Sequence, residues 1–203
     1  MKKKILIIGA GGHSKSCIDI LKQCNKYEIY GIIGLNSEVG KKVSDIPVIG
    51  VDKDLLELRN IVDHAFIAIG QIKSPEKRIK IYKHLKKLNF ILPAFYSNNS
   101  YVSPFAEIME GTIVMHHCVI NAGVKIGKCV IINNMSLIEH DSSVGNFTHV
   151  STNVVLNGNV IVGDRSFIGS KTVTSNNIVI DNDEFIKMGS ILKKWKKKRK
   201  LYL

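Results

Sequence analysis

Between Val102 and Leu192 the apolar positions recur every six residues. The series Val102, Ile108, Val114, Ile120, Ile126, Ile132, Ile138, Val144, Val150, Leu156, Val162, Ile168, Thr174, Ile180, Ile186, Leu192 is aliphatic at fifteen of its sixteen positions. A second series, four places later, runs Ala106, Thr112, Cys118, Val124, Val130, Ser136, Ser142, Thr148, Val154, Val160, Ser166, Thr172, Ile178, all small or β-branched. Neither the helical period nor the two-residue period of an ordinary strand produces this, whereas a short fixed repeat marks a parallel β-helix. Each unit predicts one short strand and a turn, and three units close a triangular coil. The aliphatic residue points inward and the small one sits beside the corner. Gly127, Gly145, Gly163 and Gly169, each directly after an aliphatic, predict turns of unusual φ/ψ or close backbone approach.

Ahead of the repeat the pattern changes to strands alternating with helices. Strands are expected over residues 4–8, 28–33, 65–69 and 90–95, with a short strand or turn at 47–50. Helices are expected over 14–23, over 52–60 with Asp52 as its cap, and over 75–88 with Ile79, Tyr82 and Leu85 inward. The organisation read from this is an α/β domain with a parallel, Rossmann-like sheet at 1–96, a β-helix at 97–192 and a basic tail at 193–203.

The first strand runs into Gly9-Ala10-Gly11-Gly12-His13 and then a helix, an arrangement that points backbone N–H groups and the positive helix end at an anion. A dinucleotide fingerprint needs a third glycine where Ser14 stands and an acidic residue about twenty positions on, whereas the second strand ends in Gly34-Leu35-Asn36. A nucleotide-sugar loop and a purely structural turn both remain. Ligands are expected at the carboxyl ends of the strands, near Gly11, Gly34 and Gly70.

Composition narrows the setting. Lys and Arg number 29 against 17 Asp and Glu, for a net charge of +12. Seven of those basic residues, Lys193, Lys194, Lys196, Lys197, Lys198, Arg199 and Lys200, crowd into the tail around Trp195. That cluster is either a solvated tail or a patch for a phosphate-bearing ligand or an anionic membrane surface. The remaining excess is dispersed without a nucleic-acid motif. No apolar run approaches the roughly 18 residues of a membrane span. Cys17, Cys24, Cys118 and Cys129 form no CxxC pair, which favours reduced thiols and a cytoplasmic protein.

Chemistry on a regular solenoid requires a departure from the repeat, and the outstanding one is Glu139-His140-Asp141. Histidine exchanges protons near neutral pH, and one held by a carboxylate suits general-base activation of an amine or hydroxyl. A single exposed histidine is more often a bystander, but His149 follows half a coil later. His116 and His117, being adjacent, are expected to face different ways, and no metal-ligand cluster is read.

At these residues the sequence resembles the hexapeptide-repeat sugar acyltransferases with an N-terminal nucleotide-sugar domain. That group includes UDP-4-amino-sugar N-acetyltransferases of the bacillosamine type and sialic acid O-acetyltransferases. The likeness is carried by IIGAGGHSK, by IAIG before Gln71, and by VIINNMSLIEHDSSVGNFTHVSTNVVLNGNVIVGDRSFIGS. It implies a left-handed β-helix assembled as a homotrimer, with acetyl-coenzyme A in the groove between two subunits. It further implies His140 as base with Asp141 orienting it, and Asn133 on the substrate side. His149, Gly158, Gly169 and Ser170 would lie along the coenzyme groove, and Gly12 and His13 in the sugar-nucleotide loop. Gly34-Leu35 departs from an acidic pair common in the amino-sugar enzymes, and the short C-terminus ends in the basic tail rather than in further coils. The implied reaction is direct acetyl transfer to the amine of a nucleotide-activated 4-amino-4,6-dideoxy sugar. The alternatives are sialic acid O-acetylation and a non-catalytic nucleotide-sugar-binding scaffold.

Overall fold

The computed structural model describes residues 2–193, in two packed parts. The first is a sheet of β1 (Lys3–Ile8), β2 (Tyr27–Ile33), β3 (Lys42–Val43), β4 (Ile46–Gly50) and β5 (His64–Ile67), in the order β3-β4-β2-β1-β5. Every pairing is parallel except the β3–β4 hairpin. Ile5, Leu6, Ile7 and Ile8 of β1 are all buried, as a central parallel strand covered on both faces requires. Helix α1 (Gly12–Gln23) covers one face through Cys17, Ile18 and Leu21. On the other face lie α2 (Leu55–Leu58) and α3 (Glu76–Lys87).

Three local expectations change. Helix α2 is only four residues, entered through a 3-10 turn at Asp52–Asp54, and Asp54 rather than Asp52 accepts the loop N–H, from Val51 at 2.9 Å. The fully buried residues of α3 are Arg78 and Leu85; Tyr82 packs half-buried beside them as expected, with Ile81, and Ile79 lies off the core stripe. Residues 90–95 add no full strand to the sheet: Ile91 makes one bridge to His64, and Phe95–Tyr96 is already the first rung of the solenoid.

The solenoid is a left-handed parallel β-helix of two-residue rungs stacked into three sheets. Face A holds Tyr101–Val102, Val119–Ile120, Leu137–Ile138, Val155–Leu156, Val173–Thr174 and Ile191–Leu192. Face B runs from Glu107–Ile108 to Val179–Ile180, and face C from Phe95–Tyr96 to Phe185–Ile186. Both six-residue series point inward and form one continuous core. The Ser and Thr of the second series do more than fit: Thr112 Oγ1 donates to Gly127 O at 2.7 Å and accepts from Val130 N at 3.0 Å. Thr148 repeats the pattern with Gly163 O at 2.8 Å and Ser166 N at 3.1 Å, so the corners are satisfied by buried hydroxyls.

The positive-φ residues fall elsewhere than on the glycines after the aliphatics. Every sixth residue from Gly111 to Gly189 has φ between 53° and 73°, most of them without glycine's freedom, including His117, Met135, Asp141 and Phe147. The four glycines instead permit coil-to-coil contact: a Cβ on Gly145 would sit 2.5 Å from Asp164 N, and one on Gly169 2.4 Å from Met188 N.

The outward column of face C joins the two parts. Phe95, Ile113 and Ile131 share a core with Ile5, Ile7, Cys17 and Leu21, and His149 continues the column under the same cover.

Candidate active site

Two separate constellations emerge. The first is at the corner between faces A and B, where His140 Nδ1 lies 2.8 Å from Asp141 Oδ2. Asp141 occupies one of the left-handed turn positions, and Gly123, one coil earlier with φ of +73°, leaves room for its carboxylate: a Cβ there would meet Asp141 Oδ1 at 2.6 Å. Gly158, one coil later, opens the space for the imidazole. With Nδ1 bonded to the carboxylate, Nε2 is left to act on solvent or a ligand. The Gly158 N–H has no acceptor among the described residues, so an unused donor lies beside that ring. Glu139 Oε2 accepts from Asn121 Nδ2 at 2.8 Å and from the His140 N–H at 3.4 Å, and makes no bond to the imidazole.

The second constellation lies in the N-terminal domain, at the amino end of α1 and beside the loop after β5 that leads to face C. A cavity of about 340 Å³ opens at the carboxyl ends of β1, β2 and β5, lined by Gly11, Gly12, His13, Gly34, Gly70, Glu38, Asp52 and Lys77. The amino end of α1 points its free N–H groups here, as an anion site requires. Ser14, in the place of a third glycine, is buried and turns its hydroxyl back onto Gly11 O. Glu38 and Asp52 supply carboxylates at the end of the cavity where Gly34-Leu35 supplies none.

His149 is 7% exposed, its Nδ1 donating to the Gln71 carbonyl and its Nε2 standing 3.4 Å from Asn133 Nδ2. Burial first, then the charge of Arg78, hold it neutral down to about 4, against the carbonyl of Gln71, which favours the proton. Burial, then Arg78 and His149, also depress His13 to about 4. Gly169 and Ser170 lie on the corner between faces C and A, in the column of Asn133 and Ser151, and Ser170 Oγ meets Ser151 Oγ at 2.9 Å.

Within one chain, therefore, Gly158 joins His140 and Asp141, while His149 joins Asn133 and the N-terminal cavity side. Gly169 and Ser170 stay apart from the His140 corner but continue the corner column of Asn133, two coils further on. Sequence reasoning passed over Gln71 and Arg78, which bind the two parts together. The signal was there: Arg78 shares the inward stripe of its helix with Leu85. His116 does not pair with His117; it bridges Ser97 Oγ at 2.7 Å and Asp19 Oδ2 at 2.9 Å. No group of three metal-ligating side chains occurs among the described residues, and no helix there is long and apolar enough to cross a membrane. The basic run from Lys194 onward, with Trp195, lies outside the described residues.

A solenoid bearing an exposed His–Asp pair, docked on an α/β domain with a glycine-loop cavity, is an arrangement similar to that of the hexapeptide-repeat sugar acetyltransferases. Residues 4–85 match the PglD N-terminal domain family. The chain is 29% identical to perosamine N-acetyltransferase from Caulobacter crescentus, solved as a histidine-to-asparagine variant with CoA and GDP-perosamine, at a TM-score of 0.86 over 94% of this chain and 90% of that one. It is 26% identical to the acetyltransferase domain of PglB from Neisseria gonorrhoeae in complex with acetyl coenzyme A, at 0.84 over 95% and 94%. WeeI from Acinetobacter baumannii, at 22% identity and 0.79 over 95% and 94%, shares the fold.

Proposed function

We propose that this protein transfers the acetyl group of acetyl-coenzyme A to the amine of a nucleotide-activated 4-amino-4,6-dideoxy sugar, in the cytoplasm, for bacterial surface glycans. The observation that carries the reading is His140: Nδ1 held by Asp141 at 2.8 Å, Nε2 free, and an unused N–H at Gly158 beneath it. His140 Nε2 takes a proton from the sugar amine as its nitrogen bonds the thioester carbonyl carbon. The Gly158 N–H faces the oxyanion. The C–S bond then breaks, and the sulfur takes the proton back from the imidazolium to leave as coenzyme A. General-base help is worth about 10²–10⁴-fold and an oxyanion donor about 10²–10³-fold.

The nucleotide-sugar is assigned to the cavity at Gly11, Gly12, His13 and Gly70, with Asn133 on its solenoid side, and the coenzyme to a groove reached by His149, Gly158, Gly169 and Ser170. The relative solved with GDP-perosamine and CoA supports an amine over a hydroxyl acceptor. The separation of these groups within one chain supports a homotrimer. Face A presents Tyr101, Val119, Val173 and Ile191 as an exposed apolar stripe, flanked by the His140 corner on one side and the Ser170 corner on the other. A neighbour on that face brings one copy's His140 corner against another copy's second wall.

Thiol release is the test, with GDP- and UDP-linked 4-amino sugars as acceptors and a sialic acid beside them. Turnover with an amino-sugar nucleotide is expected; acetylation of the sialic acid alone would move the assignment to O-acetylation, and coenzyme hydrolysis or silence with all acceptors would remove it.

A further inference from the structure

The loop after β5 serves the cavity and the solenoid at once. Gly70 lines the cavity, with a Cβ there falling 3.4 Å from that of His13. The next residue, Gln71, is buried and makes two contacts across the domain boundary: its Nε2 donates to Phe147 O at 2.8 Å, and its carbonyl accepts from His149 Nδ1. Its Oε1 accepts from Arg78 Nη1 at 3.0 Å, and Arg78 Nη2 passes on to Cys129 O at 2.6 Å. Cys129 and Phe147 are successive turn positions of one solenoid corner, with φ of 53° and 55°, and neither carbonyl serves a main-chain donor. The left-handed turns thus offer two unused acceptors, and one glutamine and one arginine take both.

Arg78 is 1% exposed and has no carboxylate partner among the described residues. An unpaired buried guanidinium is costly, so stability alone is a poor reason for its presence. Its planar fork can reach acceptors on two domains from one helix, which a lysine ammonium cannot do in the same geometry. From these contacts we infer that Gln71 and Arg78 are positioning residues for acetyl transfer. They lock the cavity loop to the solenoid and hold His149 as its Nδ1–H tautomer, with the Nε2 lone pair on the Asn133 side. In naming the reaction the inference rests on the function proposed above; the clamp itself stands on geometry.

The test uses the full-length chain with Gln71→Ala, Arg78→Lys and Arg78→Gln. Each substrate's dissociation constant is measured alone, beside kcat, both KM values and the ¹⁵N shifts of His149. Because a misplacement of about 1 Å can cost about 10²-fold, kcat is expected to fall about 10–100-fold while each separate dissociation constant stays within about threefold. His149 is expected to lose its single tautomer. Full rescue by Arg78→Lys would show that charge rather than the fork matters, and unchanged kcat with an unchanged tautomer in Gln71→Ala would remove the inference. Gln71→Ala keeps the question answerable should both Arg78 variants fail to fold. If the wild type acetylates no amino-sugar nucleotide, the proposed function fails, and the tautomer readout still decides the clamp.

Discussion

The imidazole of His140 lies directly against Gly158, so closely that a Cβ on that glycine would come within 2.7 Å of Nε2. Gly158 is not at a left-handed position, so its backbone accepts alanine without strain. Gly158→Ala is therefore expected to leave the melting temperature within a few degrees while turning the ring off its seat. Turnover should fall about 10–100-fold, the scale of a small misplacement. Steady-state kinetics beside a thermal melt checks this, and wild-type turnover would show that the seat is irrelevant to the chemistry.

His140→Ala should lower kcat by about 10²–10⁴-fold with coenzyme binding nearly intact, since the base is removed and the groove is not. Asp141→Asn should cost less, because the imidazole keeps a hydrogen-bond partner but loses a carboxylate that holds and polarises it. Calorimetric binding of coenzyme A to each variant separates the two effects. Turnover by His140→Ala equal to wild type with the true acceptor would place the chemistry elsewhere.

Low pH should destabilise the fold through its interdomain seam. His13 and His149 are depressed to about 4 in the folded chain, whereas an unfolded histidine titrates near 6.5. Between these values the unfolded chain binds protons that the folded chain refuses, so stability falls as pH drops from about 6.5 toward about 4 and levels off below. Each group can contribute on the order of 3 kcal/mol to that loss. Urea midpoints measured from pH 7 to pH 4 should fall accordingly, and less steeply in His149→Asn, which keeps a donor for Gln71 O but does not titrate. An equal slope in that variant would exclude His149 as a contributor.

The apolar stripe on face A predicts assembly. Val119 and Val173 are exposed in the single chain, so Asp at both should leave folding intact and abolish self-association together with activity. Sedimentation of the wild type and the variant is the check; a wild type that runs as a 22.6 kDa monomer at micromolar concentration would refute the trimer.

Ile138 tests the register. It is fully buried in the solenoid core, and an aspartate there would leave a carboxylate without a partner. Ile138→Asp should cost roughly 3 kcal/mol or more and broaden or abolish the melt. A soluble variant melting as the wild type does would mean that residue 138 faces outward.

The six-residue repeat by itself determined the solenoid, because each unit needs the same inward aliphatic at the same place in a short turn-bound strand. It also exposed Glu139-His140-Asp141, since a regular lattice makes any departure visible. The strand and glycine loop at residues 4–12 were legible for a similar reason: four consecutive buried aliphatics before a run of small residues leave few alternatives. Tertiary structure alone decided which face of the prism the N-terminal domain covers. That choice depends on outward residues such as Ile113, Ile131 and His149, whose spacing is the same whether they meet solvent or a neighbour. It placed His149 under Gln71, a cover that the half-coil spacing from His140 does not reveal. It also buried Arg78. Its place on the inward stripe of α3 beside Leu85 was legible. The acceptors that make its burial tolerable, the Cys129 carbonyl from a distant turn and the Gln71 side chain from the loop ahead of the helix, are supplied only by the fold.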